Sequence, residues 1–296
     1  MQNAEQERHS WIKLITIFLW LFLYGLATVL GGNADTNINI DNPKTVVLLY
    51  FGQVIGVLIL FIIPTLLFAL FWTKQRLHYL GVSTKPTFTT LILGSIGILL
   101  ALPLINWIAQ LNANMHLPAA LNGVEEWMKN SEAKAAELTE VFTKGTSVSG
   151  LILNLFVVAF MAAVSEELFF RGMTQKVLIE CFKNKHIGIW IGAILFSAFH
   201  MQFFGFFPRM LMGAYLGYLY LWSGSLWPGI ITHFVNNGMA VFLVWLSNRG
   251  VISSDIDKVG ADSNQMMLVF ISIITVSVSL ILIYRTEKKK TDLIIT

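Results

Sequence analysis

Long apolar runs, separated by short polar connections, dominate this chain. An apolar run of about 17–25 residues can cross the hydrocarbon core of a bilayer as a helix. The pattern therefore predicts an all-α polytopic membrane protein with about eight transmembrane helices. The predicted spans lie near residues 11–31, 46–72, 87–111, 147–172, 187–207, 209–223, 225–247 and 265–284.

The long connection between the third and fourth spans, residues 112–146, has a different pattern. Its apolar residues recur at roughly helical spacing among charged ones, which is typical of an amphipathic helix at a membrane surface. We expect a helix that lies on the outer surface or caps the bundle. Two roles stay open for it, a connecting helix without further function and a lid over a substrate. The apolar residues are Val124, Trp127, Met128, Ala135, Leu138, Val141 and Phe142.

Composition places the chain in the lipid bilayer and argues against nucleic acid as a partner. Of its 296 residues, 55% are hydrophobic and only 12% are charged, and the mean hydropathy is +0.68. A soluble domain carries roughly 25% charged residues. The 20 Lys and Arg nearly balance the 17 Asp and Glu, so no basic surface is indicated. The single cysteine, Cys181, cannot form a disulfide within the chain.

The distribution of Lys and Arg predicts the orientation, because cytoplasmic connections carry an excess of these residues. With the N-terminus inside, the cytoplasmic connections hold 11 Lys and Arg and the external ones hold 7. We therefore expect a multi-pass membrane protein with both termini in the cytoplasm. A prokaryotic cell membrane is its expected location.

Three of the apolar runs contain polar side chains that need an explanation. An ionisable group in hydrocarbon costs at least about 2.5–3.5 kcal/mol, so it usually has a partner or a function. Glu167 and Arg171 have the i,i+4 spacing at which a carboxylate and a guanidinium pair on one helix face. Glu166 points about 100° away and needs a partner elsewhere in the bundle. The polar residues are Glu166, Glu167 and Arg171 in the fourth span, His200 in the fifth, and His233 and Asn237 in the seventh.

The depth of these groups along their helices allows them to meet in one cavity. At about 1.5 Å per residue, Glu166 lies about 9 Å from the inner end of its predicted span, His233 about 12 Å and His200 about 20 Å. Helix tilts of about 20° reconcile these depths. Phe196 has the i,i+4 spacing to His200 that lets its ring pack beside the imidazole.

These residue types suit two kinds of hydrolysis. A buried carboxylate next to a histidine can take a proton from water, and a second histidine with an amide can stabilise an oxyanion. Alternatively, Glu166, His200 and His233 would hold a zinc ion with an open water position. The sequence has no HExxH motif, and ligands on three separate helices have no diagnostic spacing. The residues alone therefore leave the metal open.

Read in order, the three polar segments resemble the motifs of a known family. Residues 166–171 (EELFFR) are similar to EExxxR, residues 196–200 (FSAFH) to FxxxH, and residues 233–237 (HFVNN) to HxxxN/D. These are motifs of the CPBP family of type II CAAX prenyl endopeptidases and bacteriocin-processing or self-immunity proteins. The order and the separations match over about 150–245.

This resemblance implies an intramembrane endopeptidase with a catalytic cavity in the bundle, open toward the cytosol. Its substrate would be a membrane-associated peptide or protein, either prenylated and CAAX-like or of bacteriocin type. No cofactor is required if glutamate activates the water; zinc or another divalent metal is the alternative. By resemblance, Glu166 and His200 activate water, His233 and Asn237 form the oxyanion site, and Glu167, Arg171 and Phe196 support them.

We expect three regions along the chain. Residues 1–146 form N-terminal transmembrane helices and the amphipathic helix, 147–247 the CAAX-protease-like catalytic core, and 248–296 a C-terminal transmembrane helix with a basic tail. Two other functions stay open, a non-enzymatic membrane scaffold or immunity protein of the same fold and a proton-coupled transporter. A transporter calls for repeat symmetry or paired broken helices, which the sequence does not display.

Overall fold

The computed structural model describes residues 2–31, 43–253 and 258–295, and over these ranges the protein is all-α with no strand. A turn of π-helix joins α2 to α3 in one continuous rod. Two further π-helical segments join α8, α9 and α10 in a second rod. The helices are α1 (Gln2–Gly31), α2 (Pro43–Val57), α3 (Ile63–Trp72), α4 (Arg76–Leu80), α5 (Phe88–Leu100), α6 (Leu102–Ala113), α7 (Asn122–Thr143), α8 (Val148–Asn154), α9 (Ala162–Glu167), α10 (Gln175–Phe182), α11 (Lys185–Phe199), α12 (Phe206–Ser223), α13 (Trp227–Asn248) and α14 (Met266–Ile295).

Within the described ranges, four helical rods are long and apolar enough to cross a bilayer. They are Lys44–Trp72, Val148–Phe182, Trp227–Asn248 and Met266–Lys290. The pair α5 and α6 gives a fifth if the two count as one span bent by 47°. Pro103 follows the first residue of α6, and proline breaks a helix there because it has no N–H for the preceding turn. Each predicted run coincides with a helical segment, but the count of eight spans stays a prediction.

The rod from Val148 to Phe182 is longer than the span predicted from the sequence. Its span was predicted to end at residue 172, but the helix continues for ten more residues. At about 1.5 Å per residue, Glu166 lies roughly 24 Å from the end of the rod, near its middle. The predicted depth of about 9 Å refers to the inner end of the membrane span and stays a prediction. Two π-helical segments, Leu155–Met161 and Leu168–Thr174, lie on either side of the glutamates. Such π-turns occur often at functional sites.

Aromatic packing fixes the middle of this rod against its neighbours. Phe169 and Phe170 are almost fully buried, and both rings contact Phe61 in the rod of α2 and α3. Phe170 also packs edge-on against Phe196 of α11, with ring centroids 5.2 Å apart. Buried aromatic pairs of this kind contribute about 0.5–1.5 kcal/mol beyond their buried area. The cluster therefore sets the position of α11 relative to the glutamates.

The amphipathic segment forms the 22-residue helix α7, in agreement with the sequence pattern. None of its residues is buried, so it lies outside the bundle. Trp127 packs on Phe203 with ring centroids 5.2 Å apart, and at the other end the backbone oxygen of Thr143 accepts a hydrogen bond from the Asn248 amide. Helix α7 thus lies against the loop before α12 and the end of α13.

Candidate active site

A closed cluster of three polar side chains lies in the centre of the bundle. Glu167 and Arg171 are almost fully buried, and the Arg171 guanidinium donates to Oε1 of Glu167 at 2.6 Å. His233 comes from α13 and places Nδ1 3.0 Å from the same oxygen. Because a carboxylate only accepts, Nδ1 of His233 carries the proton in this contact. The predicted i,i+4 pair is therefore present, and it also orients a histidine from another helix.

One contact with a backbone oxygen and one with an aromatic ring complete the surroundings of Arg171. Its second terminal nitrogen donates to the backbone oxygen of Gly213 on α12 at 3.0 Å. Its guanidinium carbon lies 4.5 Å from the centre of the Phe196 ring, a favourable cation–π geometry. The same ring lies edge-on to His200 and His233, at 5.1 and 5.8 Å between centroids. Phe196 is thus the apolar contact that all these groups share.

Glu166 faces a more open region on the neighbouring side of the rod. Its side chain is 12% exposed, compared with 0% for Glu167. Oε2 of Glu166 lies 3.8 Å from Nε2 of His200 and 3.9 Å from Nε2 of His233. This oxygen is buried and has no hydrogen-bond partner in the described part of the protein. The structure therefore brings both predicted histidines to the carboxylate, at a distance too long for a direct hydrogen bond.

The other ring nitrogen of His200 is held in place. Nδ1 lies 2.8 Å from the backbone oxygen of Phe196, and a carbonyl oxygen only accepts, so Nδ1 is the donor. In the neutral ring, Nε2 then presents a lone pair toward Glu166. The side chain is 27% exposed, which makes it the most accessible of the polar groups around Glu166.

Asn237 follows His233 by one helical turn on α13. Its Oδ1 accepts a hydrogen bond from the amide of Asn236 at 3.1 Å, so its own NH₂ group is oriented away from that contact as a donor. No hydrogen bond joins Asn237 to Glu166 or His200 in the ranges that the structure describes. Asn237 is therefore on the site's helix, one turn beyond the groups that meet directly.

The zinc alternative requires shorter distances between Glu166 and the two histidines. Metal–ligand bonds of about 2.0–2.2 Å separate two ligand atoms of a tetrahedral zinc site by about 3.4 Å. The observed separations of 3.8 and 3.9 Å from Glu166 to the histidines are wider. No set of three His, Cys, Asp or Glu side chains with a metal-binding arrangement is found among the described residues. As arranged, the residues do not fit a metal, and metal dependence stays a prediction.

Sequence reasoning missed the residue that holds the loop after His200. Asn112, at the end of α6, is buried; it donates to the backbone oxygen of Phe203 and accepts from the backbone N–H of Phe207. A turn with Met201 at φ +53° joins His200 to this loop. An amide at the end of an apolar helix is a weak signal in the sequence, because such residues usually bond to a neighbouring helix. Here the partners of Asn112 lie in the segment that follows His200.

Two glycines were also missed. A Cβ atom on Gly229 of α13 would lie 2.7 Å from Oε2 of Glu167, and one on Gly213 would lie 3.1 Å from the Phe196 ring. Both positions leave too little room for a side chain. The sequence alone does not reveal these close approaches, because a glycine can occur in a helix for several different reasons.

These observations define a class, an all-helical integral membrane protein with two glutamates and two histidines gathered inside the bundle. Residues 148–239 match the family model described as "Type II CAAX prenyl endopeptidase Rce1-like". This stretch contains every polar residue of the site and confirms the resemblance derived from the motifs. The match covers about a third of the chain.

One curated relative adds a second similarity. The "Uncharacterized protein YpbD" of Bacillus subtilis (strain 168) is 28% identical over 100 residues, which is 32% of this chain and 46% of that protein. The chain therefore spans less than half of the relative that it matches. No solved structure gives a significant match.

Proposed function

We propose that this protein is an intramembrane endopeptidase in which Glu166 and His200 activate a water molecule. The observation that carries the proposal is the pair of contacts around Glu166. Its buried Oε2 has no hydrogen-bond partner among the described residues and faces Nε2 of His200 and of His233. A carboxylate and an imidazole lone pair are both acceptors, and a water molecule that donates one hydrogen to each fits between them.

The chemistry follows from that geometry. Glu166 takes a proton from the water, and the resulting hydroxide attacks the carbonyl carbon of the scissile peptide bond. The carbonyl oxygen becomes an oxyanion as the C–O bond forms. When the C–N bond breaks, the protonated Glu166 returns its proton to the leaving amine. Water is consumed, and one carboxylic acid and one amine are released.

His233 and Asn237 are proposed to stabilise the oxyanion. Nδ1 of His233 already donates to Glu167, so its Nε2 can donate to an oxyanion only when the ring is a protonated imidazolium. The NH₂ group of Asn237 supplies a second donor. Removing one such donor typically costs about 10²–10³ in kcat.

The substrate is proposed to be a membrane-associated peptide or protein. A site inside the bundle is reached most easily by a substrate that the bilayer already holds close. The family model names a CAAX prenyl endopeptidase, and a prenylated or a bacteriocin-type peptide would both meet this requirement. The orientation with both termini in the cytoplasm, predicted from the Lys and Arg count, is part of the proposal.

Cleavage in proteoliposomes tests the function. A library of membrane-inserted peptides is incubated with the wild type, Glu166→Gln, His200→Ala and, as a matched control, Glu126→Gln on the exposed face of α7. We expect cleavage by the wild type and the control, and a loss of about 10²–10⁴-fold in the two site variants.

The other functions predict different results in the same assay. A scaffold or immunity protein gives no cleavage in any form, and retained binding of a partner by Glu166→Gln would support it. A metalloprotease loses activity on chelation and recovers it with zinc, whereas the glutamate mechanism is unaffected by a chelator. Wild-type cleavage rates in Glu166→Gln would contradict the proposed role of the carboxylate.

A further inference from the structure

A cavity of about 510 Å³ lies between α5, α6 and the C-terminal half of α13. Its walls are mostly apolar, formed by side chains such as Ile98 and Leu102 opposite Ala240 and Val244 of α13. The described residues that line it include five Asn and Ser side chains and no charged one. Pockets for organic ligands typically measure about 300–1,000 Å³ and combine apolar walls with a few polar groups. The cavity has the size and the lining of a binding site.

One residue of the cavity lining contacts a candidate oxyanion residue. Asn236 belongs to its lining, and the amide of Asn236 donates to Oδ1 of Asn237. Ala240 follows His233 by seven residues and Asn237 by three, so all three lie on one face of the helix. A substrate positioned at His233 and Asn237 would therefore continue along the cavity without changing to another face of α13.

The length of the cavity can be compared with that of a peptide. From Asn237 to Asn248, which lies at the far end of the lining, α13 rises by roughly 17 Å. An extended peptide covers about 3.3–3.6 Å per residue, so about five residues span this distance. The dimensions match a short extended segment rather than a whole helix.

Resting on the proposed endopeptidase function, we propose that the cavity is a subsite for an extended apolar segment of the substrate next to the scissile bond. Such a segment carries backbone N–H and C=O groups, which need partners away from water. The side chains of Asn236, Ser247 and Asn248 can supply them. A lipid chain would offer no hydrogen bonds to the polar side chains of the lining.

Photo-crosslinking tests where the peptide lies. A benzoylphenylalanine replaces Ala240 in full-length Glu166→Gln protein, which holds the substrate without cleaving it, and the probes are peptides of the membrane library. We expect crosslinks within about five residues of the bond that the wild type cleaves. The same photo-reactive residue at Ala136, exposed on α7, should give none. Crosslinks to lipid alone, or equal yields at both positions, would overturn the subsite.

The two proposals fail in different ways. If the wild type cleaves a peptide but Ala240 never crosslinks to it, the subsite is wrong and the endopeptidase function stands. If peptides crosslink at Ala240 but no form of the protein cleaves them, a peptide-binding cavity exists and the endopeptidase function fails.

Filling the cavity gives a kinetic test. Ala240→Phe is expected to raise KM by about tenfold or more for peptides with Leu or Phe beside the scissile bond, with kcat unchanged. For peptides with Gly or Ala there, the change should stay below about twofold, because small residues leave the space unused. Ala136→Phe is the control for adding a ring. Equal changes in KM for both peptide sets would contradict the subsite.

Discussion

Glu166 and Glu167 are adjacent in the sequence but lie in two regions of opposite character. Glu167 belongs to a closed cluster, fully buried, with Oε1 bonded by Arg171 and by His233. Glu166 belongs to an open region, partly exposed, with two imidazoles near 4 Å. Among the described residues, Oε2 has no hydrogen-bond partner in either glutamate, so the difference lies in exposure and in the partners of Oε1. A rotation of about 100° between neighbouring helical residues separates the two. One turn of helix thus carries one carboxylate held by two partners and another that faces two imidazoles.

The largest effect is expected from removing the cation of the closed cluster. Arg171→Met leaves the Glu167 carboxylate buried beside a histidine alone, and breaking a buried ion pair in this way costs about 3–5 kcal/mol. Denaturant unfolding in detergent measures the loss. The double variant Glu167→Gln/Arg171→Met should regain part of it, because no unpaired charge remains. If Arg171→Met were as stable as the wild type, the expected stabilisation by the buried Arg171–Glu167 ion pair would be contradicted.

A smaller loss is expected from crowding the same cluster. Gly229→Ala would place a methyl group 2.7 Å from Oε2 of Glu167, and overpacking of this kind typically costs about 1–3 kcal/mol. Gly238 on the same helix is the control, since its added Cβ meets Leu155 at an ordinary 3.5 Å. Unfolding curves should separate the two variants. Equal stability for both would show that Glu167 moves away easily.

The open region can be disturbed through the loop that follows His200. Asn112→Ala removes two hydrogen bonds, one to Phe203 in the loop and one to Phe207 in the first turn of α12, and should lower stability by about 1–2 kcal/mol. A displaced His200 should lower kcat by about tenfold, with KM little changed. Asn114→Ala, at the exposed residue that directly follows the same helix, is the control. Unchanged kcat in Asn112→Ala would show that the loop does not position His200.

The smallest effect concerns α7, which lies outside both regions. Glu125 accepts hydrogen bonds from Lys129, from His116 and from the backbone N–H of Leu117, and these contacts lower its pKa from 4.5 to about 2. Because the pKa is lowered in the folded protein, the stabilisation is fully present above about pH 4.5. It is lost as the pH falls through about 2.

Titration of the labelled Glu125 carboxyl by NMR, assigned with Glu125→Gln, measures this midpoint. Glu125→Gln should cleave like the wild type, since α7 does not contact Glu166. A midpoint near 4.5 would show that these contacts do not form in solution.

The sequence predicted the local pair and left the long-range contacts open. Glu167 and Arg171 are i,i+4 neighbours, so their contact follows from helix geometry. The same geometry showed that Glu166 needs partners from other helices. The order of the three motifs indicated that His200 and His233 belong to the same site. Asn112 was missed because its partners lie more than 90 residues away, and no periodic pattern encodes such a distance.

The helix that carries Glu166 is longer than its predicted span for a physical reason. Polar residues from Thr174 to Lys176 interrupt the apolar run, and the length rule reads the interruption as the end of a span. In the structure Thr174 and Gln175 are buried, and Gln175 donates to the backbone oxygen of Gly217 on α12. A polar residue that is bonded inside the bundle cannot be told from a surface residue by hydropathy alone.

The most direct test of the account compares Glu166→Gln with Glu167→Gln, measuring the cleavage rate and the unfolding midpoint of each. Glu166→Gln should unfold like the wild type and lose cleavage by about 10²–10⁴-fold. Glu167→Gln should unfold at a clearly lower denaturant concentration, because Arg171 then remains buried without its anion. If both variants lose stability and activity together, or if Glu166→Gln still cleaves, the division of roles between the two glutamates is contradicted.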